Sequence, residues 1–311
     1  MTVGAALAVT TTRLAAAGCV SARAEARWLL EEVLGTGSGA LAGRRTQPLP
    51  PEAEGRLEEM VARRAAGEPL QYVIGWAPFG PLRLEVGPGV FVPRPETELV
   101  AERAARHLMA AKGAGGSGGL KSEAPATAPG REAKPSVSPP VENPGPVAVD
   151  LCTGCGAIAC FLAEEVPGAR VLATEIDPAA LAWARRNVRG RRVELLAGDL
   201  DEPLPADLRG RVDVLVANVP YVPAGAMPLL PHDVREHEPR LALDGGPDGL
   251  DVLRRVAALA PRWLAPGGWL VCEIGEGQRQ AVALLAAAGL AEVRIRPDLA
   301  GRDRVLEGVL R

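Results

Sequence analysis

Val147-Ala148-Val149-Asp150-Leu151-Cys152-Thr153-Gly154-Cys155-Gly156-Ala157-Ile158 is the stretch on which the fold turns. Its first five residues are apolar apart from one acid, as in a strand covered on both faces. Glycines follow at Gly154 and Gly156, where they let the backbone turn tightly and come close to a ligand. A helix opens behind them. A strand, a Gly-rich turn and a helix in that order begin a nucleotide-type α/β sheet, a signal that dinucleotide folds share. The strict G-x-G-x-x-G is absent, because its third glycine would fall at Ala159.

From Val147 onward strands and helices alternate as they do in a parallel, doubly wound sheet, so 147–311 reads as one α/β domain. Strands are expected at 147–151, 170–175, 193–197, 212–217 and 269–274, with helices after Gly156 and Pro178, over 250–263 and over 278–288. Two last strands, 292–296 and 305–310, joined through Gly301, would close the sheet as an antiparallel hairpin. Upstream, residues 1–70 carry helical stripes, Leu29, Leu30, Val33 and Leu34 in one and Leu57, Met60 and Val61 in another. The first helix is expected to stop near Gly18, with Ser21 capping the second. Residues 71–92 read as a β-hairpin connector, with strands at 72–76 and 82–86. A helix over 93–111 starts with Pro95 and acids in its first turn. Between 112 and 146 the composition collapses into Gly, Ala, Ser and Pro, which reads as a flexible insertion.

Composition narrows the function. The chain has 311 residues, is 47% hydrophobic and carries a formal net charge of -3. A protein that grips phosphate backbones usually carries a basic excess, so a protein or small molecule is the better partner and no direct nucleic-acid contact is expected. No apolar run reaches the roughly 20 residues of a membrane helix. Leu14 to Cys19 superficially resembles a lipoprotein cleavage site, but no Lys or Arg precedes it and Arg13 interrupts it. Five cysteines, an odd number, point to a reducing cytoplasm.

The chemistry-bearing residues cluster at strand ends, where open α/β sheets bind ligands. Asn218-Val219-Pro220-Tyr221 closes the strand at 212–217, and an amide, a rigid Pro and an aromatic ring there suit a flat NH2-bearing group. Glu175, ending the second strand, can accept two hydrogen bonds from a ribose diol, and Asp199 can accept from an adenine amino group. Loop, Glu175 and Asp199 together outline an adenosine site without a pyrophosphate, which favours S-adenosylmethionine over NAD. Asp177 and Pro178 read as a helix N-cap and first turn rather than ligands. Cys152 and Cys155 form a C-x-x-C, but with only Cys160 nearby they read as small loop residues, not a metal or disulfide site. Cys155 at a helix N-terminus is expected to have a lowered pKa and to be prone to oxidation. His232 and His237 read as surface loop histidines.

Several segments together resemble one family. Pro93-Arg94-Pro95-Glu96-Thr97-Glu98, the 150–158 loop, Asn218 to Pro223, Glu238-Pro239, Ala242 to Gly246, Asp248 to Leu250, Glu273-Ile274-Gly275 with Gln278, and Asp298 to Arg304 are similar to the HemK/PrmC release-factor glutamine methyltransferases. The resemblance implies a class I, Rossmann-like S-adenosylmethionine-dependent methyltransferase domain and a helical amino-terminal domain that docks a class 1 peptide release factor. It also implies methyl transfer to the Gln side-chain amide of that factor's Gly-Gly-Gln motif. On that resemblance Cys152, Thr153, Gly154, Cys155, Gly156, Glu175, Leu200 and Asn218 contact the cofactor. Asn218, Val219, Pro220 and Tyr221 hold the substrate amide, and Arg94 and Thr97 approach the pocket, although a helix start explains them equally. Three positions depart from the family pattern: Val219 stands where Pro is usual, Cys152 and Cys155 where Gly and Ser or Thr are usual, and Glu175 where Asp is commoner. Competing readings are a related protein-glutamine methyltransferase, an amino-methyltransferase of nucleic-acid bases and a binding module that has lost turnover. Steep salt dependence of nucleic-acid binding would mark the base methyltransferase, and failure to bind the cofactor the binding module.

Overall fold

The computed structural model describes residues 1–37, 39–115 and 145–311. Seven strands form the main sheet: β3 (Val147–Leu151), β4 (Arg170–Glu175), β5 (Val193–Ala197), β6 (Val212–Ala217), β7 (Leu264–Glu273), β8 (Leu290–Pro297) and β9 (Asp303–Leu310). Their order is β5-β4-β3-β6-β7-β9-β8. β3 to β7 are parallel, and β9 inserts antiparallel between β7 and β8. The chain leaves β3 toward β4 and β5, then returns to build β6 on the other side. That reversal opens a crevice beyond the carboxyl ends of β3 and β6.

Period-two alternation sorts the strands onto two cores. Ala148, Val171, Ala173, Val214, Val216 and Val271 face one cluster, packed beneath α5 (Pro95–Gly115) and α6 (Ala157–Glu165). Val149, Leu151, Leu172, Leu215, Ala217 and Cys272 face the other, beneath α9 (Asp251–Trp263) and α10 (Ala281–Ala287). With both faces covered, the strands need continuous apolar runs.

The amino-terminal helices α1 (Val3–Ala16), α2 (Ala22–Val33) and α3 (Pro51–Ala65) bury a separate cluster that includes Leu14, whereas Ala15 to Gly18 after it are exposed. Ser21 sits at the N-cap of α2 but its side chain makes no capping bond, contrary to expectation. A second correction concerns 72–76: Leu70–Ile74 is a short helix, α4, capped by Gly75 at φ 84°, and the hairpin is β1 (Trp76–Phe79) with β2 (Leu82–Glu85). Pro69 before it and Gly75 after it are helix punctuation. The expected helix over 278–288 begins only at Ala281, because Gln278 is engaged elsewhere. Apart from its two ends, the expected insertion at 112–146 lies outside the described residues; α5 itself runs to Gly115. No helix among the described residues is long and apolar enough to cross a membrane.

Three contacts help to bind the pieces. The buried Asn187 of α7 (Pro178–Asn187) accepts from the Glu85 N–H at 2.8 Å and donates to the Glu85 and Cys155 carbonyls at 2.9 Å each, tying hairpin to glycine loop. On the helical side Trp28 stacks on Trp76 at 6.1 Å, and Arg64 reaches Asp233 at 3.5 Å.

Candidate active site

The ends of β3, β4 and β6 meet at one cavity of about 330 Å³. Cys152, Thr153, Gly154, Cys155, Glu175, Asp199, Leu200, Asn218, Pro220 and Tyr221 all line it. Gly156 and Val219 do not. Gly156 is the N-cap of α6 at φ 86°, a left-handed conformation that favours glycine. Val219 turns its side chain into the core, where it is 2% exposed.

Asp150 holds the glycine loop from below. Its Oδ2 accepts from the Thr153 hydroxyl at 2.5 Å and from the Ala159 N–H at 3.1 Å, supplying the cap that Gly156 has no side chain to make. Burial pushes its carboxyl up to about 7, against the pull of those two bonds. Above it Cys152 stands at φ 57°. That left-handed backbone explains in physical terms why glycine would be usual there.

Glu175 lines the cavity with both of its carboxylate oxygens anchored. One carboxylate oxygen accepts from the Gly154 N–H at 2.8 Å and the other from the Asp177 N–H at 2.9 Å, so each keeps a lone pair for a further donor. Burial raises its pKa despite these bonds, and two hydroxyl donors would draw it back down. Asp199 accepts from Arg255 at 2.7 Å through Oδ2, leaving Oδ1 for an amine. Ile176 and Val252 add apolar walls. The donor, acceptor and apolar set fits the adenosine part of S-adenosylmethionine. Asp177 is an N-cap whose Oδ1 accepts from the Ala179 N–H at 2.8 Å, and it also lines the cavity.

Cys155 corrects an expectation. It is buried, and burial pushes its thiol up to about 12, so the thiolate that oxidation needs is suppressed rather than favoured. The helix terminus does not compensate for the lost hydration. Cys152 is likewise raised, by burial and then by the carboxylates of Glu175, Asp150 and Asp199. All five cysteines are unpaired. His232 and His237 lie on a short helix, α8 (His232–His237), rather than in a loop.

The other half of the cavity is built around Asn218. Its Nδ2 donates to the Thr97 hydroxyl at 3.1 Å. Tyr221 is fixed at both ends: its hydroxyl donates to Glu273 at 3.1 Å, and its carbonyl accepts from Gln278 Nε2 at 3.0 Å. Gln278 also donates to the Gly249 carbonyl at 3.2 Å and accepts from the Gly275 N–H at 2.8 Å, stapling three loops. A Cβ on Gly249 would stand 2.3 Å from the Tyr221 carbonyl, so only glycine lets these loops approach. Arg94, ion-paired with buried Glu238, borders the cavity beside Phe91. Sequence inspection missed Ile176, Val252 and Arg255 on the cofactor side. Ile176, an apolar residue directly after the strand-end acid, was the signal available.

Comparison with known proteins now has a geometry to explain. The profile of the PrmC N-terminal domain matches residues 5–75, and that of a methyltransferase domain matches 148–232. Release factor glutamine methyltransferases of three bacteria align along nearly the whole chain. That of Mycolicibacterium smegmatis is 41% identical, covering 96% of this chain and 94% of its own. Those of Moorella thermoacetica and Streptomyces coelicolor are 42% and 40% identical, covering 98% and 96% of this chain and 97% and 94% of theirs. With this coverage and a cavity fitted to S-adenosylmethionine, the chain belongs to the release factor glutamine methyltransferase family.

Proposed function

We propose that this enzyme transfers a methyl group from S-adenosylmethionine to the side-chain amide nitrogen of the glutamine in the Gly-Gly-Gln motif of class 1 peptide release factors. The observation that carries this is the orientation of Asn218. With Nδ2 held by Thr97, Oδ1 is left to accept from a group in the cavity.

An amide nitrogen is a poor nucleophile, because its lone pair is delocalised into the carbonyl. The site therefore has to aim it. Asn218 Oδ1 takes one amide N–H and the Val219 backbone carbonyl the other. That carbonyl accepts no hydrogen bond among the described residues, and although Val219 itself does not line the cavity, Asn218 and Pro220 on either side of it do. Val in place of Pro leaves this acceptor untouched, and residue 219 still precedes Pro220, which biases it to an extended backbone. Tyr221, immobilised at both ends, packs on the flat amide and excludes water. When bound, the cofactor supplies a methyl already activated on a sulfonium. Glu175 and Asp199 hold its adenosine, and the glycine loop lies close beside it. No side chain has to remove a proton beforehand, since the nitrogen becomes acidic only as the new bond forms.

The amino-terminal helices would dock the body of the release factor, with α8 between them and the cavity. Asn218→Ala tests the reading: with a release factor as acceptor, methyl transfer should be abolished while the fold is retained. Retained turnover would remove Asn218 from the mechanism.

A further inference from the structure

We propose that residues 224–242 form a lid over the cavity, latched to the amino-terminal helices by the ion pair of Arg64 with Asp233, so that a partner seated on those helices controls entry. Naming that partner as a release factor rests on the reading above.

The segment begins three residues after Tyr221 and lines the cavity with Leu230, Val234, Pro239, Leu241 and Ala242. Its ends meet. The Val222 N–H donates to the Leu243 carbonyl at 2.9 Å, the Gly245 N–H to the Val222 carbonyl at 2.9 Å and the Ala224 N–H to the Gly246 carbonyl at 2.8 Å, so the residues between make one excursion from a closed neck. The excursion holds a 3-10 turn at Ala224–Leu229, the helix α8 and a second 3-10 turn at Arg240–Ala242, and none of the three buries a side chain. Within 224–242 only Glu238 is buried. A helix of six residues does not hold itself together in water, and no apolar core holds this one down.

Charge pairs hold it instead. At the carboxyl end of α8, Glu238 pairs with Arg94 on the cavity border, while its Oε2 is buried and has no partner among the described residues. Opening the lid would return water to that carboxylate and so offset part of the lost pair. At the amino end, Arg64 of α3 reaches Asp233 at 3.5 Å, and His232 packs on Gly67, where a Cβ would stand 3.0 Å from its Nδ1. Arg64 is itself fixed, donating to Glu25 at 2.6 Å and to the Glu68 carbonyl at 2.9 Å. The latch thus joins a rigid post on the helical domain to a lid without a core. Methyl transfer asks for both lid states, an open mouth to admit a side chain carried on a whole protein and a closed one to exclude water. Asn218 to Tyr221 lie before the neck, so the lid can move while they stay in place.

The test uses the full-length enzyme with cofactor bound and follows hydrogen exchange at the Arg235 and Glu238 amides, which donate to the Pro231 and Val234 carbonyls at 3.0 Å each. Asp233→Lys replaces attraction to Arg64 by repulsion. Exchange at both amides should quicken about threefold to tenfold, as expected when a partly exposed pair is lost and its sign reversed, with β6 amides, cofactor Kd and thermal midpoint nearly unchanged. Arg64→Gln leaves the sequence of α8 untouched and should quicken the same amides. Asp233→Glu keeps the charge and should stay near wild type. Saturating release factor should slow these amides in the wild-type enzyme and do so less in Asp233→Lys, whose KM for release factor should rise by a similar factor while kcat holds. Wild-type exchange in Asp233→Lys or Arg64→Gln, equal quickening in Asp233→Glu, or equal protection of wild type and Asp233→Lys by release factor would each overturn the proposal. Wild-type enzyme that binds cofactor but methylates no release factor would instead refute the reading that names the partner, and the latch would be decided on the free enzyme.

Discussion

Cys152 stands in the left-handed region at φ 57°, and the cost of that conformation can be measured by comparing two substitutions. Cys152→Ala and Cys152→Gly both delete the thiol, which packs against the core on the α9 side of the sheet, so that loss cancels in the comparison. A residue with a Cβ pays about 1–2 kcal/mol to adopt this backbone, and glycine does not. Glycine in turn gives up about 0.5–1 kcal/mol relative to alanine through the freedom of its unfolded chain. The difference leaves Cys152→Gly the more stable of the two by about 0.5–1 kcal/mol, the reverse of their order in ordinary secondary structure. For a chain of this size that separates the thermal midpoints by roughly 1–4 °C. Urea denaturation at fixed cofactor concentration, with slopes confirmed equal, gives the same quantity directly. An alanine variant as stable as the glycine variant, or more so, would refute the claim that strain at this loop is why glycine would be usual there.

Glu307→Gln should destabilise the fold by about 3 kcal/mol at neutral pH, since it leaves Arg103, Arg294 and Arg296 facing a neutral group that is 0% exposed. Hydrogen bonds from His107 and those arginines outweigh burial and hold its carboxyl well below the usual 4.5, so its stabilisation is present above that pH and drains away as the pH falls beneath it. The gap between variant and wild type in urea midpoint should therefore narrow below pH 4.5; a constant gap would contradict this. Glu175→Gln should weaken cofactor binding about tenfold to a hundredfold by calorimetry, and an unchanged Kd would remove Glu175 from the diol site. Val219→Ala should cost about 2 kcal/mol of stability, because it opens a cavity in a filled core, yet leave kcat far closer to wild type than Asn218→Ala does. Equal losses of kcat in the two would show that the Val219 side chain, and not its carbonyl, serves the reaction.

The inner strands β3, β4 and β6 were legible because burial on both faces demands apolar residues along their middles, whereas the edge strand β5 carries Glu194 and has no buried residue. Tyr72-Val73-Ile74 was not legible, since an apolar run this short has no period to measure; the proline before it and the glycine after it carried the information. Gln278 shows a different limit. Its side chain serves three loops at once, and that tertiary demand moves the helix start to Ala281. Of the candidate site, the strand-end residues could be picked out by position, because the switch point of a doubly wound sheet collects them. The Thr97 contact to Asn218 joins residues 121 apart in sequence, and no local pattern marks it. Cys155 failed for an energetic reason: the helix N-terminus was visible in the sequence, but the burial that outweighs it was not.

The central claim is tested most directly by incubating the purified enzyme with methyl-labelled S-adenosylmethionine and purified class 1 release factors, then locating the label by peptide mass spectrometry. One methyl on the glutamine of the Gly-Gly-Gln motif, absent with Asn218→Ala, is the predicted result. Label on another residue, on nucleic acid, or nowhere despite tight cofactor binding would contradict it.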